Sequence, residues 1–152
     1  MAKTIYLDVC CLNRPFDDQS LNRVRLETEA ILSILEMTRA EKLKLVGSDV
    51  IDDELAQMPD AERREKVEQL FDPATKHIAF TAAIERRANE FHKWNISPLD
   101  ALHLASAEVA HADYFLTTDD YLLRRARLHA GELKVKVENP AKWLIQETTD
   151  EN

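Results

Sequence analysis

Glycine is almost absent from this chain, with two in 152 residues, Gly47 and Gly131. A glycine-rich loop whose backbone N–H groups close around phosphates cannot be built from these, which excludes P-loop and dinucleotide-binding chemistry. Cysteine is equally scarce. Cys10 and Cys11 are sequence neighbours, a poor geometry for a bond with each other, and with no third cysteine a reducing compartment fits. No Cys or His partner stands at zinc-ligand spacing, so both read as small buried apolar residues. No apolar run approaches the roughly 20 residues that cross a bilayer. Ile5-Tyr6-Leu7 is stopped at once by Asp8, which is not a signal-peptide pattern, and a cytoplasmic protein is expected. Positive charge is also short: 20 Lys and Arg against 28 Asp and Glu, a net charge of −8. Bulk charge therefore argues against non-specific nucleic-acid binding, and such a role would need metal ions and local basic patches.

What the chain has is enough apolar material, 45% of residues, for one domain with a sizeable core. The expected domain spans 1–147, followed by a disordered tail over 148–152. The organising stretch runs from Ile96 to Tyr121. Pro98 favours a first-turn position, and Leu99 to Ala112 is rich in alanine and leucine with almost no charge, which predicts a helix buried on most sides. Asp100 alone breaks its apolar first turn. Tyr114 to Thr117 then reads as a short buried strand, and Thr118-Asp119-Asp120 opens another helix with capping residues. A helix that precedes a strand in an α/β layer runs antiparallel to it, so Asp100 and Asp119 meet at one sheet edge. Two carboxylates without a cationic partner repel, and a metal ion between them resolves the repulsion.

Earlier in the chain, Lys3 to Asp8 reads as a central strand ending in a carboxylate. Val9 to Asp18 reads as a turn-rich loop, and Ser20 or a neighbour caps a helix to about Glu41 with Val24, Thr28, Ile31 and Leu35 on its core face. Leu43 to Val46 is a strand, Asp49 to Gln57 a short helix carrying Glu54, and Ala61 to Leu70 a charged, solvent-facing helix. A strand over Lys76 to Phe80, a helix over Thr81 to Trp94, a basic helix over Asp120 to His129, a strand over Leu133 to Val137 and a helix over Pro140 to Gln146 complete the order. Such alternation implies a largely parallel sheet, whose ligands collect at the strands' C-terminal edge. Asp8, Asp100 and Asp119 are expected there, with Glu54 leaning back toward them. Hard oxygen ligands of this kind select Mg2+ or Mn2+.

Four segments carry a family resemblance: Ile-Tyr-Leu-Asp8, Ser48-Asp-Val-Ile-Asp-Asp-Glu54, Leu99-Asp100-Ala-Leu-His-Leu-Ala-Ser-Ala and Leu116-Thr-Thr-Asp119. In this order the chain resembles a PIN-domain ribonuclease over roughly Lys3 to Leu144. The resemblance implies a three-layer α/β/α fold around a mostly parallel sheet of about five strands. It implies a metal-dependent endoribonuclease, often a VapC-like toxin restrained by a small antitoxin protein, and a homodimer. Asp8, Asp100 and Asp119 would hold Mg2+ or Mn2+, and Glu54 would hold or activate a water. Thr117, Ser48 and Arg14 are the expected supporting or RNA-contacting residues. Val9-Cys10-Cys11 follows Asp8 where the family usually carries a small hydroxyl residue, which predicts one fewer hydrogen bond at the site.

Each candidate also has a plainer reading. Asp119 and Asp120 are both good N-caps; the expected division makes Asp119 the ligand and Asp120 the cap. Glu54 stands beside Asp52 and Asp53 and could belong to a solvated face. His103 stands one helical turn from Asp100 and could support the site from behind, but reads as a satisfied core histidine outside the metal site. Asp17 and Asp18 read as turn residues, and Arg124, Arg125 and Arg127 either contact RNA phosphates or form a solvated face. The alternative to the enzyme is a catalytically weak PIN-fold module that binds RNA or scaffolds protein.

Overall fold

The apolar runs at Ile5-Tyr6-Leu7, Leu43 to Val46 and Tyr114-Phe115-Leu116 form the middle of the molecule. In the computed structural model, which describes residues 2–150, they belong to β1 (Lys3–Leu7), β2 (Leu43–Ser48) and β4 (Tyr114–Leu116). The edge strands are β3 (Lys76–Ile78) and β5 (Lys136–Glu138). The sheet order is β3-β2-β1-β4-β5 and every pairing is parallel. β1 takes the centre because Ile5, Tyr6 and Leu7 are apolar on both faces, and all three have no solvent exposure. Lys3 pairs with Leu43 on one side, and Leu7 with Leu116 on the other.

Helices cover both faces, giving the expected three layers. They are α1 (Val9–Asn13), α2 (Asn22–Arg39), α3 (Asp49–Ala56), α4 (Ala61–Leu70), α5 (Ala82–His92), α6 (Pro98–Val109), α7 (Asp120–Leu128) and α8 (Pro140–Asp150). α2 packs on α8, and α5 packs along α6. The predicted core face of α2 is buried at Val24, Thr28, Ile31 and Leu35. α6 buries seven residues from Ala101 to Glu108, as its near absence of charge required. α4 has only Val67 fully buried, as expected of a solvent-facing helix.

With glycine so scarce, helix exits use other residues. Glu41, Asn95 and His111 follow α2, α5 and α6 at φ of 60°, 62° and 55°. Paired bonds from Lys42 N–H to Met37 O and from Ala112 N–H to Ala107 O close the first and last of these turns.

Four local expectations are corrected. Val9 to Asp18 is not a loop throughout: Val9, Cys11 and Leu12 are buried, and their burial turns the segment into α1 followed by a 3-10 turn at Arg14–Phe16. Ser20 does not cap α2; its hydroxyl and N–H both donate to Asp18 Oδ1, and Leu21 takes the N-cap position without a side-chain bond. The last strand begins at Lys136 rather than Leu133, because the Glu132 and Leu133 N–H groups still close onto the His129 carbonyl. The C-terminal helix runs past Gln146 to Asp150, so the tail expected from Thr148 is helical for its first residues. Trp143 is buried, and Glu147 accepts from Lys3 Nζ at 2.8 Å, tying α8 to β1. Residues 151 and 152 lie outside the described residues.

Candidate metal centre

From β1 the chain first crosses toward β2 and β3 and later returns to add β4 and β5 on the opposite side. The crevice at the C-terminal ends of β1 and β4 is therefore the topological switch point, where parallel sheets bind ligands. Asp8 leaves β1 there and Thr117 leaves β4, held together by the bond from Asp8 N–H to Leu116 O at 3.0 Å. Asp8 occupies the N-cap position of α1 but makes no capping bond. Its carboxylate instead accepts from Thr117 Oγ1 at 2.8 Å, with Cys10 Sγ 3.4 Å from the same oxygen. The thiol thus stands where a hydroxyl was missed, and the expected loss of a hydrogen bond next to Asp8 is not seen.

Three side chains form the compact centre. Ligand-type atoms of Asp8, Glu54 and His103 all lie within 4.8 Å of one another. Glu54 reaches inward from the second turn of α3, and Ser48 sets that helix by accepting from Ile51 N–H at 3.0 Å. His103, fully buried on α6, places Nε2 2.8 Å from Glu54 Oε1 and Nδ1 2.7 Å from the Tyr6 hydroxyl. His103 is buried as a core histidine would be, and its Nε2 partner is Glu54 of the site. Its spacing of one helical turn from Asp100 was the available signal.

Asp100 and Asp119 flank this trio and stand outside its 4.8 Å cluster. Asp100 lies in the first turn of α6, which Ser97 caps by accepting from the Asp100 N–H at 3.3 Å. Asp119, not Asp120, caps α7: its Oδ1 accepts from Tyr121 and Leu122 N–H at 2.9 and 3.2 Å. Both bonds end on Oδ1 rather than Oδ2. Asp120 is paired with Arg23 through contacts of 2.6 and 2.7 Å, and Arg23 also donates to Thr118 O. That clamp fixes the segment carrying Thr117 and Asp119. Arg14 is turned to Glu27 and Asp17, at 2.9 and 3.1 Å, rather than to the acids of the site. In the basic run, Arg125 donates to Trp94 O. A second group of potential ligands, Asp49, Asp52 and His77, is on the surface, where Asp49 is already bonded to His77 and to Phe80 N–H.

The donor set suits a hard divalent cation. None of the ion pairs among the described residues involves Asp8, Asp100 or Asp119. Burial raises the Asp8 carboxyl above its ordinary value, against the opposing effect of the bond from Thr117. Burial, followed by the neighbouring charges of Asp8 and Asp119, pushes Asp100 up to about 6. Carboxylates crowded until they resist ionisation are relieved by a hard divalent cation.

A pH dependence follows. Asp100 has its folded pKa above its unfolded value, so its contribution to the metal-free fold is present at low pH and is lost as pH rises through about 6. Asp100→Asn removes that loss, and the melting temperature of the EDTA-treated variant rises relative to the parent across this interval. If Asp100 is a cation ligand, binding must expel its proton, and Mn2+ affinity measured calorimetrically is expected to weaken as pH falls through about 6. A pH-independent affinity would show that Asp100 is no ligand.

An all-parallel sheet with carboxylates gathered at its switch-point edge defines an α/β domain with an acidic cluster that could hold a metal ion there. The chain belongs to the PIN domain family, whose model matches residues 5–128. No curated protein matches it in sequence. Among solved structures it is similar to VapBC2 from Rickettsia felis, in a crystal structure described as bound to a DNA fragment from their promoter. That similarity has a TM-score of 0.59 at 14% identity, over 90% of this chain and 98% of the other. The likeness is one of fold.

Proposed function

We propose that this protein is a metal-dependent endoribonuclease, and that it serves as the toxin of a toxin–antitoxin pair in the cytoplasm. The observation that carries this reading is the convergence of buried Asp8 with Glu54, flanked by Asp100 and Asp119, at the switch point of a PIN-family sheet. Asp8, Asp100 and Asp119 are the cation ligands, and Thr117 orients Asp8 through its 2.8 Å bond. The bound cation supplies charge neutralisation at the scissile phosphate. Glu54 orients the attacking water and accepts its proton. The water oxygen bonds to phosphorus as one bridging ribose oxygen departs, and solvent reprotonates the departing oxygen. Ser48 supports Glu54 by capping α3.

The similarity in fold to a VapBC protein supports a small antitoxin as partner. So does an open groove of about 570 Å³ beside Glu54, lined by Val50, Met58, Phe80, Leu99 and Leu102. A homodimer completes the assembly. Among the described residues no helix is long and apolar enough to cross a membrane.

The test is cleavage of a mixed RNA pool by the purified chain with Mg2+ or Mn2+. EDTA and Asp100→Asn are expected to abolish it. A folded, metal-binding protein that leaves the pool intact under every condition overturns the nuclease reading in favour of a binding module.

A further inference from the structure

His103 is buried on α6 between groups from two other parts of the fold. Its Nε2 faces Glu54 at 2.8 Å; its Nδ1 faces the Tyr6 hydroxyl at 2.7 Å; that hydroxyl is 2.8 Å from Ser48 Oγ. Ser48 Oγ in turn accepts from Ile51 N–H at 3.0 Å. The chain links β1, the end of β2, α3 and α6, across sequence separations of 42, 97 and 49 residues. None of its side-chain polar atoms is left buried without a partner among the described residues.

The direction of these bonds follows from donor chemistry. An ionised carboxylate only accepts, so the hydrogen between His103 and Glu54 sits on Nε2. In the neutral ring Nδ1 is then an acceptor and takes the Tyr6 O–H, while the Tyr6 oxygen accepts from Ser48. The opposite tautomer would set two lone pairs against each other 2.8 Å apart.

We infer that His103 is a positioning residue: with its hydrogen on Nε2 and its Nδ1 held by the Tyr6 hydroxyl, it pins Glu54 beside Asp8. Glu54 needs such a restraint. It is a long side chain on an eight-residue helix, 28% exposed, with an open groove at one side and the Asp8 carboxylate at the other. Like-charge repulsion drives Glu54 toward solvent, and the donated Nε2–H opposes it. Any buried histidine needs partners on both ring nitrogens; what sets His103 apart is that one of them is the Glu54 carboxylate at the site. The inference rests on the nuclease reading for its catalytic consequence, but the tautomer and the bond to Glu54 do not.

The experiment therefore has two arms on the full chain. In the first, 15N spectra of the histidine rings are recorded on the metal-free protein. The expected result is a protonated Nε2 and an unprotonated Nδ1 at His103, kept in Tyr6→Phe, where Glu54 still requires the Nε2 hydrogen, and becoming a tautomer mixture in Glu54→Ala. A mixture or an Nδ1–H ring in the parent protein overturns the inference whether or not the protein cleaves RNA. The second arm is kinetic. Tyr6→Phe keeps the ring stacked on Phe115, at 5.3 Å between centroids, and serves where His103→Gln fails to fold. Its kcat is expected to fall by about 10–100-fold with KM and Mn2+ affinity unchanged. Combined with Glu54→Gln it is expected to cost nothing more, since the residue it positions is already disabled. Additive losses, or an unchanged kcat, would overturn the positioning role. If the parent protein cleaves no RNA while the first arm gives the expected spectra, the nuclease reading falls and the His103–Glu54 restraint stands.

Discussion

On the proposed function, Asp8→Asn is expected to lower RNA cleavage by more than about 100-fold, because it would remove a cation ligand and its charge together. The fold survives. The amide that replaces the carboxylate retains an acceptor for the Thr117 hydroxyl, which donates to Asp8 at 2.8 Å, and leaves a neutral group at a position that is 5% exposed. Burial raises the Asp8 pKa in the folded protein. Its ionised form therefore opposes folding as pH rises, and the amide relieves that opposition. At neutral pH the EDTA-treated variant is expected to melt no lower than the parent. The increase in melting temperature that Mn2+ gives the parent is expected to vanish. Cleavage and melting followed on one preparation separate a ligand from a packing residue. A variant that melts early in EDTA and still responds to Mn2+ would place Asp8 outside the metal centre.

Glu27→Ala has the largest expected effect on stability. Glu27 is 2% exposed on α2 and accepts from Arg14 Nε at 2.9 Å, Arg23 Nε at 3.1 Å and Asn139 Nδ2 at 2.6 Å. Its removal strips two guanidinium groups of their common partner. The expected loss is about 2–4 kcal/mol, below the full cost for a buried pair because both arginines reach solvent. In a chain of this size that lowers the melting temperature by roughly 5–15 °C. The consequence reaches the site through Arg23, which also grips Asp120 and the Thr118 carbonyl. Mn2+ affinity is expected to weaken by about 10-fold as the segment holding Thr117 and Asp119 loosens. Differential scanning calorimetry and a Mn2+ titration check both effects. A variant that melts with the parent would show that the arginines hold their positions without Glu27.

Much of this architecture is readable from local pattern. Ile5-Tyr6-Leu7 can only be a central strand, and a carboxylate directly after it must emerge at the strand's C-terminal end. Pro98 and the alanine-rich run behind it start a buried helix whose only first-turn acid is Asp100. The Ser48 and Ser97 caps that set Glu54 and Asp100 act over three residues and are visible in sequence.

Other roles could not be read because they depend on distance in space. Asp119 and Asp120 are equally good caps in sequence; Arg23, 97 residues from Asp120, draws that residue away and leaves the cap to Asp119. Arg14 lies close to Asp8 along the chain, yet α1 carries it round to Glu27. Val9 to Asp18 reads as a loop because of Asn13, Pro15 and two aspartates, and its first part, Val9–Asn13, becomes helical because Val9, Cys11 and Leu12 are buried.

The sequence by itself determined the class of chemistry: acids at strand and helix ends, too little glycine for a phosphate loop, and an alternation that makes the sheet parallel. Hydrophobic period and capping act over a few residues, so they survive in a one-dimensional string. Only the tertiary structure decided which acids share a centre and which residue restrains them. The order β3-β2-β1-β4-β5 brings Glu54 and His103, 49 residues apart, to 2.8 Å. That order is set by packing of the whole chain, on which no local period reports.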